Sequence, residues 1–396
     1  MSAARLFTTF LAALATGWLT VSRAHAEPCA RSVLTERQSD ELRFRDSESR
    51  ALRGMTIGPI ESALHPERGY GSPAFERALS EAQKMGATWI SLTPFGRVLD
   101  LSPTGVALSF EQPFVENQKA VRRAIAQAHA RGLCVLLVPH LWVESGGWRA
   151  EIEAGDDAAW ERWAKGYTEF VRAWAEVARD AHADMLSAGV ELRSWVTTAR
   201  AASFGSVLRE LRRIYPGPLT YAANWDDAEQ TVIWGDLDVI GINAFYPLAE
   251  KDGATAEELA AGGRDVARRV NELSKAWQKP VMFSEFGYTT RSDPAVRPWE
   301  WPDFMANVRV DQLAQAEAYA ALLAPLLDEP AFIGAFVWRV YADPDDLSQE
   351  AEWGFSPRGK LAELLLRDAF AAYWAADGPR RASPFAALPA ERVGVY

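Results

Sequence analysis

The sequence predicts an α/β fold, one (β/α)₈ TIM barrel, on three observations. From Arg53 onward short apolar β-like runs alternate with longer helix-like runs, eight β-like runs are present, and no Gly-rich phosphate fingerprint follows the first of them. A chain of 396 residues with 48% apolar and 11% aromatic content fills a core of that size. Strands that are apolar on both faces and joined by helices belong to a parallel sheet covered by helices. A doubly wound open sheet is the rival architecture, and the missing fingerprint places it second.

Taken in order, residues 1 to 26 show Arg5, an apolar run from Leu6 to Val21, and Ala24 and Ala26 flanking His25. This is the pattern of a signal peptide cleaved after Ala26, and it predicts a secreted or periplasmic protein. The run is short for a bilayer span, and no later segment is continuous and apolar enough to be one, so no membrane association is expected after cleavage. Residues 27 to 52 are charged and weakly periodic and form a lead-in. The barrel is expected over residues 53 to 376, with an irregular tail from 377 to 396. Its strands are "RGMTIGPI", "GATWISLTPF", "LCVLLVPHLWV", "DMLSAGVEL", "PLTYAANW", "LDVIGINAFYP", "KPVMFSEFG" and "FIGAFVWRVY". Apolar residues recur at helical spacing in Val115 to Arg131, Trp160 to Asp180, Ala201 to Tyr215, Thr255 to Trp277 and Asp311 to Leu327, while Gly86, Gly132 and Gly217 punctuate returns to strand.

Composition removes several function classes. The formal net charge is −11, and loss of Arg5 and Arg23 with the leader makes it more negative, which argues against a nucleic-acid partner or an anionic membrane surface. There are five histidines, one of them His25 in the leader, and none has metal-ligand spacing. No metal or cofactor is therefore expected, and a GxSxG nucleophile elbow is missing. Two cysteines define no framework: Cys134 reads as a buried thiol in its apolar strand, although export would permit a disulfide with Cys29.

In a barrel of this kind, strand ends converge on one bowl. Those ends supply Thr93, His140, Trp142, Glu191, Asn224, Trp225, Asn243, Tyr246, Glu285 and Trp338, and the loop after the seventh strand adds Trp299. Glu285 closes an apolar run, where a carboxylate is costly unless it is paired, exposed or chemically employed. Strand alternation predicts that Val281 and Phe283 face the axis with Glu285, and that Ser187 and Gly189 do so with Glu191. Two carboxylates across one site are what glycoside cleavage requires, and aromatic faces suit sugar rings. The bland alternative is that the glutamates form structural ion pairs with Arg193 or Arg339.

The stretches "RGMTIG", "ISLTPFG", "GVELRS", "LDVIGINAFYPL" and "KPVMFSEFGYTTR" followed by "RPWEW" occur in order from about Arg53 to about Lys360. Together they resemble glycoside hydrolase family 113, which contains retaining endo-β-1,4-mannanases of clan A. The resemblance implies that Glu191 is the acid/base and Glu285 the nucleophile, that Tyr246 sits near the nucleophile, and that Trp338 floors the sugar at the point of cleavage. It also implies a β-1,4-mannan or glucomannan substrate. In such a pair Glu191 is expected to hold the proton while Glu285 is charged. Many clan A enzymes place Asn before the acid/base, whereas this chain has Val190, so the sugar 2-hydroxyl contact falls to another residue, with Asn224 and Asn243 as candidates. A non-catalytic carbohydrate-binding barrel, or a hydrolase of another β-linked polysaccharide, is the alternative function.

Overall fold

Each of the eight β-like runs contributes a strand to one closed parallel barrel. The structure, a computed structural model, describes residues 52 to 372 except 61, 63, 302 to 306 and 328; the predicted leader, the lead-in up to residue 51 and the tail beyond 372 lie outside the described residues. The strands are β1 (Leu52–Gly58), β2 (Trp89–Leu92), β3 (Phe95–Val98), β4 (Cys134–Leu137), β5 (His140–Val143), β6 (Met185–Val190), β7 (Leu219–Asn224), β8 (Ile240–Asn243), β9 (Val281–Phe286) and β10 (Phe332–Tyr341). Around the barrel the order is β1, β2, β4, β6, β7, β8, β9, β10, and β10 pairs back onto β1.

The helices are α1 (Pro73–Lys84), α2 (Phe114–Ala130), α3 (Asp157–Asp180), α4 (Arg193–Val196), α5 (Ala201–Ile214), α6 (Ala256–Trp277), α7 (Gln312–Leu326) and α8 (Leu361–Ala372). Their starts are chemically marked. Ser72, Asp156 and Asp311 accept hydrogen bonds from the first turns of α1, α3 and α7, and Thr255 with Glu258 forms a reciprocal capping box on α6.

Two of the predicted runs break in the middle. Pro94 and Pro139 follow β2 and β4, and proline supplies no N–H to the ladder. Beyond these prolines the chain re-pairs as a separate parallel ribbon, β3 with β5, in which Phe95 lies opposite His140 and Arg97 opposite Trp142. That ribbon carries His140 and Trp142 past the ends of the barrel strands.

Most buried apolar side chains fall into two layers. One cluster takes Leu52, Trp89, Leu136, Met185, Ala222, Met282 and Phe336 from strands all around the closed sheet and no residue from a helix, so it fills the barrel interior. A larger cluster joins the opposite strand faces to the helices. Val281 and Phe283 belong to that outer layer while Met282 faces inward, which corrects the expected alternation. A register shift between Ile242 and Asn243 opposite β9 brings Glu285 beside Asn243 and resets the parity. On β6 the shift lies between Ser187 and Val190; a Cβ on Gly189 would meet Tyr167, Tyr221 and Leu192, all members of the outer layer, so Gly189 does not face the axis.

Cys134 is disulfide-bonded, and this overturns the reading of a buried thiol. The chain's other cysteine, Cys29, lies outside the described residues.

Gly334 on β10 has φ +138°, and a Cβ there would press into the Leu52 carbonyl oxygen of the neighbouring strand. Gly334→Ala therefore combines backbone strain with overpacking, and a loss of about 2–4 kcal/mol in unfolding free energy is expected. Denaturant titration checks this; a change below about 0.5 kcal/mol would mean that β1 and β10 relax apart at little cost.

Candidate active site

The two predicted glutamates meet at the barrel's C-terminal face. Glu191 follows β6, Glu285 lies near the end of β9, and both are buried, at 7% and 5% exposure. Glu191 adopts φ +50°, a left-handed conformation that a glutamate rarely takes. Such a conformation persists where the surroundings over-determine it, and here they do. The Trp148 indole N–H donates to Glu191 Oε2 at 3.0 Å, the Arg149 guanidinium lies 3.0 Å from the same oxygen, and Asn243 Nδ2 donates to Oε1 at 2.9 Å. Asn243 is itself held by the Ser284 hydroxyl, which donates to its Oδ1 at 2.9 Å. Since Asn243 is the register partner of Glu285, one amide ties the two carboxylates into a single site.

Burial works against an ionised Glu191, yet Arg149, Trp148, Asn243 and the nearby His140 outweigh it and hold the carboxyl below the usual carboxylate range. This is the reverse of the expectation for a proton holder. Glu285 is approached differently: His140 Nε2 lies 3.0 Å from its Oε1, and His140 Nδ1 lies 2.8 Å from the Val138 carbonyl oxygen.

Neither glutamate pairs with Arg193 or Arg339. Arg193 bridges Asp226 and Asp227 and lies 4.7 Å over the Trp148 ring, propping the indole that reaches Glu191. Burial pushes the Asp227 carboxyl up to about 7 despite Arg193. Arg339 sits 4.6 Å over Trp338, 4.8 Å over Trp301 and 4.5 Å over Tyr341, and is hydrogen-bonded to the Tyr341 hydroxyl. The bland ion-pair alternative therefore has the wrong partners.

Aromatic side chains rise on two sides. Trp338 is stacked on His140, with ring centroids 6.5 Å apart, and its buried indole N–H has no hydrogen-bond partner among the described residues. It packs with Phe245 and Phe355, against which Trp225 and Trp301 lie. Trp225 is stacked on Trp299 at 5.4 Å, and Trp299 is 46% exposed. On the other side Phe95, Phe110 and Trp142 pack edge to face or tilted, with Trp142 50% exposed. Large exposed indoles beside a polar bowl are surfaces on which sugar rings can stack.

The remaining predicted residues divide. Thr93 is buried at the end of β2 with its hydroxyl unpartnered among the described residues, and Asn224 donates to Asp226 at 2.8 Å. Asn243 is committed to Glu191, so both candidates for the 2-hydroxyl contact already hold protein partners. Tyr246 is buried against Trp225 and Phe283 with Arg269 4.9 Å over its ring, and among the described residues His140 rather than Tyr246 bonds Glu285. Trp148, Arg149 and Ser284 were not singled out from sequence. The "GGWR" loop after β5 offered a signal, an indole and a guanidinium next to a glycine pair beyond a strand end, but strand-end reading stops before it.

A (β/α)₈ barrel whose bowl gathers buried carboxylates, amide donors and exposed indoles has the architecture of the glycoside hydrolases. The Glycoside Hydrolase Family 113 model matches residues 63–360, and the chain belongs to that family. Among solved structures, the fold is similar to that of a GH113 β-mannanase from Alicyclobacillus acidocaldarius in complex with ManMIm, at 24% identity and TM-score 0.71, covering 83% of this chain and 100% of that one. A GH113 β-1,4-mannanase matches at 19% identity and TM-score 0.70, covering 82% and 99%. A β-D-glucuronidase from Dictyoglomus thermophilum matches at 17% identity and TM-score 0.54 over 85% of this chain and 52% of its own. Comparison with curated proteins finds no match.

Proposed function

We propose that this glycoside hydrolase cleaves β-1,4-linked mannan or glucomannan by double displacement, with Glu285 as nucleophile and Glu191 as acid/base. The observation that carries the reading is the shared site, in which Asn243 bonds Glu191 and lies in register with Glu285 at the mouth of a family 113 barrel. Glu285 attacks the anomeric carbon and forms a glycosyl ester while Glu191 gives its proton to the departing oxygen; Glu191 then takes a proton from the water that opens the ester. Trp338 floors the reacting sugar, and Trp142 on one side with Trp225 and Trp299 on the other supports the polymer. Names of structural neighbours that act on mannan support the choice of substrate.

Hydrolysis of a polysaccharide panel headed by mannan and glucomannan tests the substrate, and proton NMR of the first-formed reducing end tests the stereochemistry. A β-anomer released from mannan is the expected result. An α-anomer would overturn the double displacement, and cleavage of no glycan would favour a binding protein.

Donation by Glu191 requires that Arg149 release Oε2, because that ion pair opposes protonation. Arg149→Met removes the cation and leaves burial, so the Glu191 carboxyl keeps its proton to higher pH. The alkaline limb of kcat/KM is expected to move upward in pH; an unmoved limb would show that Arg149 does not control the acid.

Export is proposed on the predicted leader, and the disulfide at Cys134 supports it, since such bonds persist in oxidising compartments. Mature protein beginning at Glu27 outside the cytoplasm is the expected finding, and an uncleaved cytoplasmic chain would refute it.

A further inference from the structure

The geometry points to His140 as a positioning residue that aims Glu285 by donating from a doubly protonated ring, an arrangement that fails when the ring gives up its second proton. This rests on the double displacement proposed above. His140 is 2% exposed, so its ring nitrogens must find partners within the protein. Nδ1 lies 2.8 Å from the Val138 carbonyl oxygen. A carbonyl only accepts, so Nδ1 carries a hydrogen. Nε2 lies 3.0 Å from Glu285 Oε1, and an ionised carboxylate also only accepts, so Nε2 carries a hydrogen too. Moving that proton onto Glu285 would keep the contact but neutralise the group that must attack carbon. The competent state is therefore an imidazolium beside a carboxylate.

The ring has little freedom to turn away. Trp338 stacks on it at 6.5 Å and 26°, and Phe95 is tilted against it at 5.4 Å. Around it stand Glu285 on β9 and Glu191 after β6; beyond these lie Arg149 on Glu191 and Arg339 over Trp338. Of these cations, Arg149 is already paired with Glu191. When the second proton leaves, one nitrogen is left lone pair to lone pair with its acceptor: at Nε2, Glu285 loses its donor, and at Nδ1, the ring loses the Val138 carbonyl contact that aims it. The loss comes as pH rises.

The test uses 2-deoxy-2-fluoro-β-mannobiosyl fluoride. A Glu285 oxygen bonds to the anomeric carbon as the C–F bond breaks and fluoride leaves with the electron pair, so no proton from Glu191 is needed. In the wild type, the labelling rate is expected to fall about tenfold per pH unit above the ring's transition, as one lost proton dictates. In His140→Gln, whose amide nitrogen donates from nearly the same place and does not titrate, labelling stays flat over that range. The same fall in both proteins would overturn the inference. Independently of any variant's folding, the imidazole ¹⁵N spectrum of the wild type at its pH of fastest labelling should show both His140 nitrogens protonated, and a neutral ring would overturn it. Failure to label Glu285 at any pH, with the spectrum as expected, would count against the double displacement instead.

Discussion

Glu285→Gln is expected to lower kcat on mannan by about 10⁴-fold or more while leaving glycan binding within a few-fold of wild type. The size follows from the proposed role. An amide has no charge to attack the anomeric carbon, so the step that splits one hard displacement into two is lost, and only positioning by the bowl persists. The shape of the site should survive, because Gln matches Glu in volume and its carbonyl oxygen can still accept from His140 Nε2. Binding by calorimetry alongside turnover separates the possibilities. Lost turnover with retained binding supports the nucleophile; retained turnover removes Glu285 from the chemistry; loss of both would say that its role is architectural.

Glu191→Ala is expected to cost about 10²–10⁴-fold on mannan, the usual contribution of a positioned acid/base, and much less in the first step for an aryl mannobioside with a good leaving group. Such a leaving group departs without a proton, so the defect moves to breakdown of the glycosyl ester, where Glu191 would act as base. Azide added to this variant should then restore turnover, because an anion needs no base, and the product should be a β-mannosyl azide. An α-azide would mean direct displacement with no covalent intermediate. Equal losses on both substrates, with no azide effect, would leave Glu191 as a structural partner of Arg149 and Asn243. Trp148, Arg149 and Asn243 together occupy both of its oxygens.

The period of the apolar residues places the barrel strands and five of the helices, while α1, α4, α8 and the breaks that create β3 and β5 escape it. The runs around β1, β6, β7, β9 and β10 read directly as strands, and the five helical segments begin and end within a few residues of α2, α3, α5, α6 and α7. The cause is local, because burial on one helical stripe or within a covered sheet imprints its own period on the chain, and caps such as Asp156, Thr255 and Asp311 mark the starts. Glu191 and Glu285 were legible for a related reason: a carboxylate at the end of an apolar run has few inexpensive explanations.

What the period could not carry was everything that depends on a neighbour distant in sequence. Parity along β9 was misread because the register shift opposite Asn243 arises from pairing between strands, and one such shift exchanges the two faces of every residue beyond it. The partners of the glutamates were equally hidden. Arg149 reaches Glu191 from a loop after β5, and Cys134 is bonded despite looking like an ordinary core thiol. By itself the sequence determined a barrel, a pair of carboxylates at its mouth and a set of aromatic side chains around them. Only the tertiary structure decided which cation faces which carboxylate and which oxygens are already filled, because charge and hydrogen-bond pairing across a closed sheet are settled by distances of about 3 Å that no spacing along the chain encodes.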